Sequence, residues 1–176
     1  GARWITSKLL LSGFVFRNRI RNYIERIEIE PDLFSFVNLT DGVIRGVEWE
    51  GVYHPRNSYQ FFLRGHHVQG TDHGGRALSD IPVDRIEWGF RNEAERIQYG
   101  FEWEYRHGKN RPGSGEKPIP STHLVSAFMR FLITPALRGS ISATNLLNRK
   151  YYSSADEKTP LAPGAGLALG VSWMAD

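Results

Sequence analysis

Cysteine is missing from this 176-residue chain, which excludes a disulfide scaffold and any thiolate-ligated metal. No apolar run approaches the roughly 20 consecutive residues that an α-helical membrane span needs. The N-terminus, Gly1-Ala2-Arg3-Trp4, has no apolar signal core with a cleavage site. Charge of one sign is scarce: 22 basic against 19 acidic side chains leave a net +3, too small and too scattered to argue for nucleic acid. Hydrophobic residues make up only 40%, while aromatics reach 12% and there are eighteen glycines.

What is present is alternation. Ile97, Tyr99, Phe101, Trp103 and Tyr105 interleave with Gln98, Gly100, Glu102, Glu104 and Arg106. A period of two places the large apolar groups on one face of a strand and the polar groups on the other. Ile86, Trp88 and Phe90 against Arg85, Glu87 and Arg91 repeat the pattern, and Asn92–Glu95 leaves room only for a tight hairpin. Further strands read out around Val47–Tyr53, Tyr59–Leu63, 122–133, 137–146 and Leu167–Trp173. A long, less tidy first strand spans about 4–24, with Leu9, Leu11 and Val15 on one face.

About eight strands result. Their connections alternate between short turns near 55–57, 93–95 and 134–136 and long polar loops near 25–37, 70–82, 107–121 and 147–163. Arg111–Pro120 reads as a mobile loop. The fold class is all-β, an antiparallel up-and-down sheet with the layout of a transmembrane β-barrel. Alternation alone leaves open whether the apolar face meets lipid or a protein core, since a soluble barrel or sandwich shows the same period. Three features favour lipid: aromatics near strand ends (Tyr53, Tyr59, Trp88, Tyr105, Trp173), polar opposite faces, and strands long enough to span the apolar band.

Four segments then resemble the barrel of TonB-dependent outer-membrane receptors. The stretch 38–55 (NLTDGVIRGVEWEGVYHP), with Gly46 and Glu48, is similar to a strand and turn of that family. The segment 81–85, with Pro82, resembles the opening of a later strand. The segment 145–152 (NLLNRKYY), with Asn145, Leu146, Tyr151 and Tyr152, is similar to a third motif. The stretch 163–173, with Pro163, Gly164 and Trp173, resembles the closing strand. They occur in the family's order. Leu147 and Asn148 stand where the family has Phe and Asp, and Met174-Ala175-Asp176 follow the aromatic that normally ends the chain.

The resemblance implies a 22-stranded barrel with an N-terminal plug, of which residues 1–176 match the last third, without a plug. It implies a bacterial outer-membrane location and energy-coupled uptake of a scarce nutrient such as an iron chelate. The implied partners are outer-membrane lipid and lipopolysaccharide, the remaining barrel strands and plug in the same or another chain, and the TonB system. Two other readings remain: a split or isolated barrel piece without transport activity, and a soluble β-barrel around an apolar ligand.

Candidate chemistry is sparse. His66 and His67 are adjacent and point to opposite faces of a strand, so with Asp72 and His73 they make no shared metal site. His67, His73, Arg76, His107, Lys109 and Arg111 are candidate outer-loop contacts for an anionic ligand, with Lys117 beside them; pairing with lipopolysaccharide phosphates is the simpler role. Glu48, Glu50, Glu87, Glu102 and Glu104 beside Arg45, Arg64, Arg85, Arg91 and Arg96 read as a network of paired charges rather than acid–base machinery. No GxSxG elbow supports a hydrolase, and the glycines Gly164, Gly166 and Gly170 precede no helix, so no dinucleotide site is expected. The chain is read as no enzyme and without a cofactor. The sequon at Asn38-Leu39-Thr40 has no meaning in a bacterial outer membrane.

Overall fold

The computed structural model describes residues 1–31, 33–38 and 41–173. Leu39 and Thr40 of the sequon, and the extension 174–176, lie outside the described residues. The described residues contain eleven strands and no helix. In chain order these are β1 (Ala2–Ile5), β2 (Leu9–Arg21), β3 (Ile24–Glu30), β4 (Leu33–Asn38), β5 (Asp41–Arg56), β6 (Tyr59–Asp72), β7 (Arg85–Glu93), β8 (Ile97–Arg106), β9 (Thr122–Thr134), β10 (Leu137–Thr144) and β11 (Gly166–Trp173).

Nine of them form one antiparallel sheet in the order β1-β2-β5-β6-β7-β8-β9-β10-β11, and β3 pairs with β4 apart from it. Every neighbour in the large sheet is the next strand of that sheet along the chain, as an up-and-down meander requires. The sheet is open: β1 and β11 are its two ends, and among the described residues no ladder joins them. Strands β2, β5, β6 and β9 run to 13, 16, 14 and 13 residues. At about 3.3 Å per residue they reach beyond 40 Å, longer than an ordinary globular strand.

Two sequence expectations fail here. The single strand at 4–24 is in fact a hairpin of β1 and β2 followed by the start of β3. Thr6 breaks it, because its Oγ1 accepts the amides of Lys8 (3.3 Å) and Leu9 (2.9 Å) and turns the chain. Asn22, at φ 54°, breaks it again before Ile24. The long loop at 25–37 is largely the β3–β4 hairpin. Its Ile-Glu alternation is a strand signal that its charge density concealed.

The short turns and the loop at 107–121 fall where the sequence places them, and the loop expected at 147–163 runs from 145 to 165 because β10 ends at Thr144.

Candidate functional site

Cross-strand register decides which side chains share a face, because directly opposed residues project the same way. One such row is Leu11, Gly51, Leu63, Trp88, Trp103 and Val125; the next is Leu9, Tyr53, Phe61, Phe90, Phe101 and Ala127. Their rings touch from strand to strand. Phe61 and Phe90 have centroids 5.0 Å apart, Trp88 meets Phe101 edge-on at 5.0 Å, and Tyr105 lies 4.8 Å from His123. Among the described residues nothing covers the middle of this face, where Leu63 is 47% and Trp88 42% exposed. All five tryptophans of the chain, Trp4, Trp49, Trp88, Trp103 and Trp173, project from it.

The opposite face is charged. Ser12, Glu50, Arg64, Glu87 and Glu104 form one row, and Phe14, Glu48, His66, Arg85 and Arg106 the next. Glu87, only 3% exposed, is paired with both Arg64 and Arg85. Arg85 also lies 3.1 Å from Glu104, which pairs with Arg106, and Glu102 has Arg91 at 3.8 Å and Arg64 at 4.0 Å. Oxygens of Glu87, Glu102 and Glu104 approach within 4.8 Å of one another, and these guanidiniums compensate them. Of the paired charges read from the sequence, Arg64, Arg85 and Arg91 meet Glu87, Glu102 and Glu104 here, whereas Arg45 projects from the opposite, aromatic face and bonds the neutral Gln69. Two neutral features were missed by the alternation: the rings of Phe62 and Phe128 lie on this charged face, opposite Gly89 and Gly100.

At one end of the sheet the long connections lock together. Glu25 of β3 accepts the Ser79 amide (3.0 Å), and the Ser79 hydroxyl donates to the Ser114 carbonyl (2.8 Å). Glu116 accepts from the Asp80 amide (3.0 Å), the Gly113 amide (2.6 Å) and the Lys109 ammonium (2.6 Å). Arg26 donates to Asp156 at 2.7 Å. That guanidinium, together with the Lys158 amide, holds the Asp156 carboxyl below its ordinary pKa. Leu78, Ile119 and Ala155 are buried beneath these bonds. Arg111–Pro120 is therefore a packed segment, contrary to the mobile loop expected. Four connections distant in sequence supply each other's partners, which local composition does not reveal.

The candidate ligand contacts scatter over this cap. His67, His107, Lys109 and Arg111 line one groove with Asp84 and Arg45, whereas Arg76 and Arg111 line a second groove with Glu25 and Leu78. His67 Nδ1 sits 2.6 Å from the Asp84 carboxylate. Arg76 is held by Asp72 at 2.7 Å, and Lys109, 11% exposed, is bound to Glu116 and the Ile81 carbonyl. His73 is exposed.

The motif residues hold the wall and cap. Asn145, at φ 47°, donates to the carbonyls of Arg149 (2.9 Å) and Pro163 (3.2 Å) and accepts the Arg149 amide (2.9 Å). Leu146 donates its amide to the Val125 carbonyl, tying the motif to β9. Asn148 accepts the Ala165 amide at 3.0 Å, close beside Gly164. Tyr151 lies under Arg106 and Tyr152 under Lys117. Gly46 faces Phe16, Glu48 borders the cleft of Arg64 and Arg85, and Pro82 lines the groove of His67.

Known structures share this wall. The copper transporter OprC superposes with a TM-score of 0.84 at 17% identity, covering 97% of this chain and 29% of that one. The pyoverdine outer membrane receptor FpvA from Pseudomonas aeruginosa PAO1 gives 0.75 at 16% identity, over 98% of this chain and 28% of that one. The FrpB iron transporter from Neisseria meningitidis gives 0.74 at 12% identity, over 97% and 30%. The chain thus spans less than a third of each of these proteins. No curated protein matches it in sequence. The profile of the family described as "TonB dependent receptor-like, beta-barrel" matches residues 1–146, and the chain belongs to that family of transport receptors.

Proposed function

We propose that residues 1–176 form the C-terminal part of the barrel wall of a receptor in the bacterial outer membrane. That receptor takes up a scarce nutrient, such as an iron chelate, with energy from the TonB system. One observation carries the reading: the sheet has an uncovered aromatic face on one side and a self-compensated network of carboxylates and guanidiniums on the other. A soluble domain turns its apolar face into a core, whereas a membrane barrel turns it outward to lipid. The charged face then borders the interior and meets a plug, and the interlocked loops face the outside. Of the candidate contacts, His67 is in register with Val47 on the outward face, which leaves His73, Arg76, His107, Lys109 and Arg111 as the cap residues offered to an arriving ligand. Arg111, which borders both grooves, is the first to test.

The open edges support a further element of this reading. In hydrocarbon an unpaired strand edge leaves amides and carbonyls unsatisfied, at several kcal/mol per group. The free edges of β1 and β11 therefore pair with further barrel strands, of the same or another chain. The experiment is uptake by cells that lack their own receptors and express the full-length receptor. Labelled ferric chelates are supplied with and without a functional TonB system. TonB-dependent accumulation supports transport; binding without accumulation favours a structural barrel piece.

A further inference from the structure

The groove bordered by Glu25 and Arg111 encloses about 420 Å³ between β3 and the connections that follow β6 and β8. Glu25 and Ile27, two residues apart on β3, face it together. Leu78 and Pro112 supply apolar surface opposite them. Gly113 closes the floor: a Cβ there would stand 2.5 Å from the Ser79 nitrogen, so the two connections touch backbone to backbone.

Four charged side chains line this space, and they are unequally partnered. Asp72 and Arg76 hold each other at 2.7 Å. Glu25 is only 6% exposed, and its Oε1 accepts the Ser79 amide. Its Oε2 has no hydrogen-bond donor among the described residues. Arg111 is exposed and makes no ion pair or side-chain hydrogen bond among them. A buried carboxylate oxygen without a donor costs free energy, more than a neutral group does. Nearly all such groups in folded proteins are satisfied, and one beside a cleft is satisfied by a donor that enters the cleft. A guanidinium's planar fork, in turn, fits a carboxylate with two parallel bonds. A purely anionic ligand would meet Arg111 and leave Glu25 without its donor.

We infer that this groove binds a zwitterionic group of the nutrient. An ammonium donates to Glu25 Oε2, a carboxylate takes Arg111, and an apolar body lies against Ile27, Leu78 and Pro112. A few convergent polar groups on an apolar lining are the usual composition of a small-molecule site. The inference rests on the reading that the cap receives the ligand, and it names the chemistry selected there.

The test uses the full-length receptor carrying this chain, in non-ionic detergent, titrated calorimetrically with the dipeptide leucyl-leucine. Two derivatives remove one charge each: the N-acetyl form lacks the ammonium, and the C-terminal amide lacks the carboxylate. The parent dipeptide should bind at least about tenfold tighter than either, as the loss of a charge-assisted bond to a buried group requires. Glu25→Gln keeps an oxygen for the Ser79 amide but removes the charge, so it should erase the penalty of acetylation and keep that of amidation. Arg111→Gln should do the reverse. No saturable binding of the dipeptide, or equal affinity for all three compounds, overturns the inference. So does an unchanged preference in both variants, which places the binding elsewhere. If Glu25→Gln fails to fold, the three wild-type affinities and the exposed Arg111→Gln decide alone. Uptake of labelled ferric chelate by the same receptor separates the failures. TonB-dependent uptake without dipeptide preference sinks only this inference, whereas dipeptide preference without uptake sinks only the transport reading.

Discussion

Phe62 and Gly89 are register partners across β6 and β7, and a Cβ built on Gly89 would stand 2.5 Å from the Phe62 ring. The same relation recurs at Phe16 and Gly46, Trp49 and Gly65, Phe128 and Gly100, and Phe131 and Gly139. Glycine weakens a strand by leaving backbone bare, and an aromatic ring laid over it restores the lost contact. Gly89→Val is therefore expected to displace the buried Phe62 ring and cost about 1–3 kcal/mol, as overpacking does. Phe62→Ala combined with Gly89→Val is expected to recover part of that loss. Denaturant unfolding of the receptor in vesicles measures both; additive losses in the double variant would contradict the pairing.

The two faces predict unequal tolerance within one strand. Phe101 lies on the aromatic face and Glu102 on the charged face, next to Arg91 and Arg64. An arginine near the bilayer midplane costs about 2–4 kcal/mol. Glu102→Gln loses only long, part-exposed ion pairs, for which about 0–1 kcal/mol is expected. Folding yield into vesicles should therefore fall sharply for Phe101→Arg and barely for Glu102→Gln. Equal effects would reverse or abolish the assignment.

Asn145 combines a left-handed backbone with three hydrogen bonds that clamp the 145–163 connection. Asn145→Ala removes the bonds and strains the backbone, whereas Asn145→Gly removes only the bonds. Protease cleavage within 149–163 should rise in both, and more for alanine. The reverse order would show that the conformation at residue 145 is unimportant.

The loop cap carries a pH dependence of definite sign. Arg26 and the Lys158 amide lower the Asp156 pKa in the folded chain. The stabilisation is thus fully present above the ordinary aspartate value of about 3.9 and is lost as pH falls through the lowered value. A spin label at Ser153 should be immobilised in the wild type at pH 7 and freed there by Arg26→Gln. As pH falls below the ordinary aspartate value the difference between the two proteins should shrink. A difference that grew on acidification would contradict the ion pair.

How much of this was legible in the sequence follows from the range of each interaction. The alternation of Ile97–Arg106 is local, so strand, face and charge network could be read directly. Cross-strand register is not local, so the glycine–aromatic pairs stayed hidden until each strand was aligned with its neighbour. The β3–β4 hairpin was missed because charged side chains on a short ribbon resemble a loop. The packing of Arg111–Pro120 was missed because Glu116 finds its partners on Asp80 and Lys109 as well as on Gly113. The motif around Asn145 is recognisable as a pattern, but its left-handed clamp depends on Pro163, eighteen residues away, which local sequence does not reveal.

The central claim, that the aromatic face of this wall meets lipid, is tested most directly by its tryptophans, since all five project from that face. Single-tryptophan receptors retaining Trp88 or Trp103 are reconstituted into vesicles whose lipids carry bromine at defined acyl depths. Strong quenching of both by acyl-chain bromine, with little quenching by a water-soluble quencher, is the predicted result. Tryptophans quenched from water and untouched by brominated lipid would contradict the account.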